Sequence, residues 1–409
     1  MTDDATGGSP VSFETGEETR MILQSLDEFV EREVEPIAED LGEALTNPRV
    51  GRERDGRLTD EVIKAVEEVR RRSAEAGFYA MNMPESVGGA GVSTVTWYRA
   101  IVQVLSNGRG LSEHVLAGPE GPKPLLLLAD DEQRERYVEP AVRGEKSTAF
   151  AQTEPTAGSD SPAMETTAER DGDGWVLNGT KQWITNAPYA DFAQVFARTS
   201  SVEEAGRYGG ITCFMVEADE WELGAMNNVP GLIGWQGELR FDDVYVPPGR
   251  VLGEVGNAFY DAMDFLSLGR LELGAEAVGL ADYVLDRATE YAREREAFGG
   301  PIGNFQLISS MIARGRARQY ASETTGLRCA WEMDRSEDVV EASSTFNWLA
   351  TGMLWDAADT AVQVHGGNGL AEENPFMDHL HYARVLRVVE GTDELHLNTI
   401  AKQNGLLQE

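Results

Sequence analysis

A block of strand and turn pattern lies between two long helical regions, and this arrangement limits the folds open to the chain. From Ser147 to about Val255, short runs typical of strands end in turn signals such as Asp171-Gly172-Asp173-Gly174. On either side, apolar residues recur at helical spacing. One such stripe follows the strand block: Ile308, Met311, Ile312 and Gly315.

This order predicts an α+β multidomain fold that is mainly α. We expect an N-terminal helical domain over residues 17–146, a small middle β-barrel over 147–255 and a C-terminal antiparallel helix bundle over 256–409. Two or three helices of the bundle should exceed 25 residues. Residues 1–16 are small, acidic and Gly/Ser-rich, which predicts a disordered tail.

The chain carries an excess of acid along its whole length. Its 409 residues include 70 acids and 35 bases, which gives a net charge of -35, and only five of the bases are lysine. Because the excess is not confined to one tail, it indicates a surface adapted to high salt. It also argues against nucleic acid or an anionic membrane as a partner.

The sequence predicts neither secretion nor membrane insertion. No apolar signal region is visible in the acidic N-terminus, and the longest aliphatic run, Leu125 to Leu128, is too short to cross a bilayer. Cys213 and Cys329 are too few for a disulfide framework and are expected to be core thiols. We expect a cytoplasmic protein.

The stretch from Ala149 to Asn186 has the strongest local pattern. Its first half predicts a strand that runs into a polar loop, where Thr156 to Asp160 offers small side chains and a Gly. Its second half predicts a hairpin, with Asn178-Gly179 as the turn between two strand-like runs.

The side chains of this stretch suit a planar ring with polar edges, such as a flavin. Thr153, Thr185 and Ser159 supply hydroxyls, the loop supplies amides, and Trp183 supplies a flat face for stacking. Taken one by one, these residues also fit an ordinary hairpin with a polar loop.

The string A-Q-T-E-P-T-A-G-S-D followed by K-Q-W-I-T-N closely resembles the signature of the acyl-CoA dehydrogenase family. The resemblance extends over nearly the whole chain beyond about residue 17 and implies that family's three-domain fold with FAD as cofactor. It implies FAD contacts for Gln152, Thr153, Ser159, Trp183 and Thr185, and a contact of Ser159 with the CoA arm.

Near the C-terminus, Val388-Val389-Glu390-Gly391-Thr392-Asp393-Glu394 resembles the family's E-G-T-x-E/Q segment, in which the Glu is the catalytic base. Desaturation requires removal of a weakly acidic α-proton, and burial makes a carboxylate a better base. The resemblance implies Glu390 as the base, Gly391 at the substrate, and Thr392 and Glu394 at the cofactor. The residues alone also fit a plain helix start with Thr392 as N-cap.

Some family members carry the base on an earlier helix, just before an Arg. The matching position here is Gly269, before Arg270, which excludes that site in this register and leaves Glu272 as a distant alternative base. Arg270 is similar to the family's Arg that contacts CoA, although an ion pair on a helix surface would also explain it.

The run Y-A-R-E-R-E-A-F-G with P-I-G-N-F-Q resembles the family's segment that meets the FAD pyrophosphate and lines the dinucleotide. It implies cofactor contacts for Arg295, Phe298 and Gln306, and the planar fork of Arg suits phosphate. A solvated, charged helix end is the other interpretation, and it explains Arg293 better than Arg295.

The string A-V-Q-V-H-G-G-N-G resembles the family's A-V-Q-x-x-G-G-x-G and adds Gln363, Gly366 and Gly367 to the cofactor residues. In this family such groups come from a neighbouring subunit. The resemblance therefore implies a homo-oligomer, with a tetramer built as a dimer of dimers.

His379, His381 and Asp378 lack further ligands at metal-binding spacing, so no metal is predicted. The segment departs from the family, because the usual R-D-A-R is His381-Tyr382-Ala383-Arg384. We do not assign a substrate subtype from it.

The resemblance implies an FAD-dependent acyl-CoA dehydrogenase. Glu390 would take the α-proton, flavin N5 the β-hydride, and an electron-transfer flavoprotein the electrons, with trans-2-enoyl-CoA as product. Two alternatives stay open: an oxygen-reactive relative, such as an acyl-CoA oxidase or flavin monooxygenase, and a non-catalytic flavoprotein scaffold.

Overall fold

The computed structural model describes residues 14–47, 50–336 and 338–406. The predicted fold class is confirmed, because helices lead up to Val142, strands predominate from Thr148 to Leu252, and helices return from Ala258. The predicted tail, residues 1–16, lies outside the described residues except for its last three.

The helices of the first part are mostly short. They are α1 Glu17–Phe29, α2 Glu35–Leu41, α3 Glu43–Thr46, α4 Asp60–Glu75, α5 Thr94–Leu105, α6 Asp131–Gln133 and α7 Glu139–Val142. The helical pattern that the sequence shows from Glu17 to Leu45 favours one helix, but the structure divides it, because a π-helical turn at Val30–Val34 separates α1 from α2, and Gly42, at φ 50°, ends α2.

Three long helices dominate the last part. One short helix, α8 Val202–Ala205, lies among the strands of the middle part. The helices of the last part are α9 Ala258–Glu294, α10 Gln306–Met333, α11 Val340–His365, α12 Gly367–Leu370, α13 Phe376–Leu386 and α14 Asp393–Gln403. With 37, 28 and 26 residues, α9, α10 and α11 confirm the expected long helices. Their short connections make them antiparallel neighbours.

The strands of the middle part form one sheet, with a small separate hairpin further on. They are β1 Thr148–Ala151, β2 Thr167–Asp171, β3 Gly174–Thr185, β4 Phe192–Arg198, β5 Ile211–Glu217, β6 Glu222–Met226, β7 Gln236–Val246, β8 Val251–Leu252, and the hairpin strands β9 Glu296–Ala297 and β10 Gly300–Pro301. The sheet order is β6-β7-β3-β2-β4-β5-β8, and β1 pairs in parallel with β4.

The sheet curls around its own apolar face. Trp175 on β3 and Phe214 on β5 have ring centroids 5.8 Å apart, although these strands lie three steps apart in the sheet, about 14 Å if the sheet were flat. Within the described residues, β6 and β8 are not paired with each other, so the strands enclose the core without a closed ladder of hydrogen bonds.

The hairpin predicted at Asn178-Gly179 is wrong. These residues lie inside β3, at a shift of register where Leu177 pairs with Val244 but Gly179 pairs with Phe241. Asn178 and Asp243 form two hydrogen bonds: Asn178 Nδ2 donates to Asp243 Oδ1 at 3.0 Å, and the backbone N–H of Asp243 donates to Asn178 Oδ1 at 2.8 Å. The pair therefore supports a bulge, which the same residue types can form.

The apolar side chains of the described residues form three clusters. One joins helices of the first and last parts, a second joins the first part to the sheet, and a third fills the sheet. Helix α9 packs against α5, α10, α11 and α13 and so lies at the centre of the molecule. Cys213 and Cys329 are buried, as expected.

Candidate active site

Glu390 lies in the tight turn between α13 and α14. Its φ is 54°, in the left-handed region that a residue with a side chain rarely adopts, and Gly391 follows at φ 108°. Thr392 caps α14 by accepting a hydrogen bond from Leu395 N–H at 3.3 Å. Strain of this kind, held in place by the surrounding structure, is a common property of functional turns.

The carboxylate of Glu390 points at the surface of α9. A Cβ at Gly269 would lie 3.3 Å from Glu390 Oε2, so the absence of a side chain there leaves room for the carboxylate. Glu390 is exposed as a whole residue, but neighbouring protein atoms surround its carboxyl group, and this desolvation raises its pKa; Lys123 opposes the rise, Glu272 adds to it and Arg270 lowers the pKa. The turn thus presents a carboxyl group whose basicity is increased.

Two neighbours of this turn have buried nitrogen atoms without a partner among the described residues. Arg270 donates from one terminal nitrogen to Ser344 Oγ at 3.3 Å, but its Nε is unpaired. His396 contacts Gly391, both of its ring nitrogens are unpaired, and burial lowers its pKa to about 4. Unpaired buried polar atoms favour a polar ligand at this place.

The residues predicted to hold a flavin lie on the loop after β1 and at the end of β3. The carbonyl of Thr153 accepts a hydrogen bond from Gln182 N–H at 2.9 Å, which fastens the loop to β3. Trp183 is 49% exposed at φ 64°, and Thr185 Oγ1 accepts a hydrogen bond from Gln236 Nε2 at 3.3 Å. Ser159 lies exposed further along the loop.

A buried ion pair, which the sequence analysis missed, fixes this loop. Lys181 Nζ lies 2.7 Å from Glu154 Oε1 and 3.1 Å from the carbonyl of Gln152, and both charged side chains are buried. Glu154 also accepts the backbone N–H of Thr166 at 2.9 Å. The pair therefore determines where Gln152 and Thr153 lie.

A cavity of about 90 Å³ separates the end of β3 from α9. Thr185, Trp235, Lys123, Glu272, Glu276 and Tyr382 are among the residues that line it. It therefore links the predicted flavin strand to the part of α9 that faces Glu390. Sequence reasoning missed Lys123, Glu276 and Tyr382, although the departure at Tyr382 from the family pattern was a signal.

A second recess holds another group of predicted residues. Arg295, Gly366 and Gly367 border an open groove of about 460 Å³, together with Tyr291, His365 and Asn368. Phe298, Gln306 and Gln363 are exposed and do not line this groove. Glu394 is also exposed, in the first turn of α14.

The two histidines of α13 differ in exposure. His379 is buried and stacks on Tyr283 with ring centroids 5.1 Å apart, while His381 is exposed. Across the described ranges, no group of three or more His, Cys, Asp or Glu residues is placed to hold a metal ion.

Comparison with known proteins agrees with this fold. Models of the N-terminal, middle and C-terminal domains of acyl-CoA dehydrogenases match residues 16–145, 149–244 and 256–404. A 3-(aryl)acrylate reductase of Clostridium sporogenes is 32% identical over 94% of this chain and 98% of its own length. The caffeyl-CoA reductase-Etf complex subunit CarC of Acetobacterium woodii is 34% identical, over 84% and 93%.

The solved structures agree. The acyl-CoA dehydrogenase of Geobacillus kaustophilus superposes with a TM-score of 0.83 at 27% identity, covering 96% of this chain and 99% of that one.

The chain belongs to the acyl-CoA dehydrogenase family. It is an oxidoreductase that acts on acyl-CoA, and its cofactor is FAD. None of the helices that the structure describes is long and apolar enough to cross a membrane.

The residues present fit FAD. Trp183 offers an exposed aromatic face, and Gln152 Nε2 is a buried donor without a partner among the described residues. Arg295 and the backbone at Gly366 and Gly367 border the groove, which suits a phosphate-containing ligand. Hydroxyl, amide and guanidinium groups of this kind complement the polar edges of the ring and the pyrophosphate.

Proposed function

We propose that this chain catalyses the α,β-dehydrogenation of an acyl-CoA thioester to the trans-2-enoyl-CoA. The placement of Glu390 carries the proposal: a carboxyl group with a raised pKa, in a left-handed turn, directed at the bare backbone of Gly269. Glu390 takes the α-proton, and bound FAD supplies at N5 the acceptor for the β-hydride. Arg270 and Ser159 contact the CoA portion, and Gly391 leaves room for the thioester.

The electrons pass on to an electron-transfer flavoprotein. This part of the proposal rests on the relative from Acetobacterium woodii, whose name places it in a complex with such a protein. The deciding experiment is an anaerobic titration of the flavoprotein with a panel of acyl-CoA thioesters, following the loss of flavin absorbance. No bleaching with any thioester would contradict the proposal, and rapid peroxide formation in air would indicate an oxygen-reactive relative.

The groove at Arg295 serves the FAD of a neighbouring copy in a homo-oligomer, which we propose is a tetramer. We expect Arg295→Ala to lose FAD and to weaken the assembly, because the guanidinium that binds the pyrophosphate is removed. Flavin content after gel filtration and light scattering measure both. Arg293→Ala, two residues away and also exposed, is the matched control and should retain FAD. Fully flavinated monomers would contradict the shared site.

The acidic surface adapts the protein to a cytoplasm rich in potassium chloride. A net charge of -35 on each chain is self-repulsive, and the Debye length falls from about 10 Å at 0.1 M salt to about 3 Å at 1 M. We expect the melting temperature to rise and the KM for acyl-CoA to fall between about 0.1 and 1 M potassium chloride. A melting temperature that stays constant or falls as the salt concentration rises would contradict the adaptation to high salt. The acidic surface would then serve solubility only.

A further inference from the structure

The cavity beside the base has a charged wall, which is unusual for a pocket that would receive a hydrocarbon chain. Glu272 accepts hydrogen bonds from Lys123 Nζ at 2.8 Å and Trp97 Nε1 at 2.9 Å, one on each oxygen. Two further pairs lie in the wall: Arg109 with Glu113 at 3.0 Å, and His114 with Glu120 at 2.7 Å.

Glu276 is the carboxyl group of this wall that lacks a basic partner among the described residues. Its Oε2 accepts a hydrogen bond from the Tyr382 hydroxyl at 2.7 Å, whereas Lys123 is bonded to Glu272. Burial raises the pKa of Glu276 to about 7; Tyr382 and Lys123 lower it, while Glu113 and Glu272 add to the rise. The group is therefore ready to bind a further polar atom.

The cavity borders α9 at Glu272 and Glu276, which follow Gly269, the residue that faces Glu390. Gly269, Glu272 and Glu276 are three and four residues apart, so they share one face of the helix, with about 10 Å of axial rise from first to last. An acyl chain with its α-carbon at Glu390 would therefore direct its far end towards Lys123 and Glu276. At about 90 Å³, the cavity is smaller than the ~150 Å³ apolar cavity that admits benzene, so the chain must be short.

We propose, resting on the function proposed above, that this cavity selects a short acyl group whose far end carries a hydroxyl. The wall presents an ammonium group and a carboxyl group side by side. A carboxylate end would face the like charges of Glu276 and Glu272, an ammonium end would face the like charge of Lys123, and an alkyl end would leave Glu276 with the Tyr382 hydroxyl as its one hydrogen-bond partner among the described residues. A hydroxyl both donates to Glu276 and accepts from Lys123, so it complements both groups.

The test compares butyryl-, valeryl- and hexanoyl-CoA with their ω-hydroxy, ω-carboxy and ω-amino counterparts. We expect the best ω-hydroxy substrate to exceed its alkyl counterpart about 10-fold in kcat/KM for anaerobic flavin reduction, as one satisfied buried hydrogen bond would give. Titration calorimetry with the same thioesters measures binding separately from turnover.

The variant Glu276→Met should abolish or invert this preference, because it replaces the carboxyl group with an apolar side chain of similar length. Glu276→Gln keeps an acceptor oxygen for the hydroxyl and should retain most of the preference. Glu323→Met removes a partly buried carboxyl group of α10 that does not line the cavity, and should change nothing in the ranking. Melting temperatures of all three verify folding.

The outcomes separate this inference from the proposed function. Suppose that alkyl thioesters reduce the flavin best and that Glu276→Met does not change the ranking of substrates. This result would overturn the proposed selection of a hydroxyl end and leave the proposed dehydrogenase function intact. A preference for ω-carboxy or ω-amino chains would overturn it as well. Selective binding of ω-hydroxy thioesters without flavin reduction would support the pocket and contradict the dehydrogenase.

Discussion

Glu390→Gln should retain FAD and bind acyl-CoA but reduce the flavin at least about 100-fold more slowly than the unchanged protein. The substitution keeps the shape of the side chain in its left-handed turn and removes the basic oxygen, and general bases contribute roughly 10²–10⁴ to rate. Stopped-flow measurement of flavin absorbance under anaerobic conditions gives the rate, and calorimetry confirms that the thioester still binds.

The pH dependence supplies a second readout for the same base. Because desolvation by neighbouring protein atoms holds the pKa of the Glu390 carboxyl group above the ordinary value of 4.5, the ionised, basic form accumulates only at higher pH, and the reduction rate should rise as pH rises through that shifted pKa. Glu390→Gln should lose this dependence. Glu272→Gln is the comparison, since Glu272 is the alternative base. A wild-type rate in Glu390→Gln combined with an inactive Glu272→Gln would move the base to Glu272.

Lys181→Met should destabilise the protein by about 3 to 5 kcal/mol and release FAD. The change leaves the Glu154 carboxylate buried without its cation, and breaking a buried ion pair from one side has this cost. It also removes the hydrogen bond to the Gln152 carbonyl that holds the predicted flavin loop against β3. Thermal unfolding and flavin content after dialysis report the two effects.

Lys146→Met is the matched control for this prediction. Lys146 lies just before β1, donates to the exposed carbonyl of Arg136 at 3.1 Å, has its ammonium group 5.4 Å from the centroid of the Tyr137 ring and forms no ion pair among the described residues, so its loss should cost about 1 kcal/mol or less. Adding Glu154→Gln to Lys181→Met should recover part of the stability, because it removes the unpaired charge and keeps an acceptor for Thr166 N–H. Equal melting temperatures for the two single variants would show that the ion pair does not hold the loop.

The regular helices could be predicted from the sequence, whereas the bulge in β3 could not. Helices α9 to α11 repeat an apolar face over many turns, and this period is a local property of the chain. Asn178-Gly179 fits both a two-residue turn and a bulge, and only the pairing of β3 with β7 decides between them. Local residue preference therefore predicted strands on both sides of Asn178-Gly179 correctly, but it wrongly placed a turn at these two residues.

The candidate site shows the same division. Glu390 and the residues of the flavin strand belong to continuous motifs, so the sequence marks them directly. The cavity wall joins Lys123, Glu276 and Tyr382 from three distant segments, and no local pattern brings them together. One signal was available: lysine is scarce in this chain, and Lys123 and Lys181 both form ion pairs with carboxylates that the fold buries.

Helix α9 is continuous from the cavity to the groove and keeps the two sites at a constant distance. Glu272 lines the cavity and Glu294 stands at the end of the helix beside the groove, so about 33 Å of continuous helix separates them. No hinge lies between these points, and a closing motion within one chain cannot shorten the distance. A molecule seated at Glu390 must therefore be extended over this length to touch the same chain's groove. Otherwise each groove faces a molecule held by another copy, and the helix length sets the spacing of cofactors in the assembly.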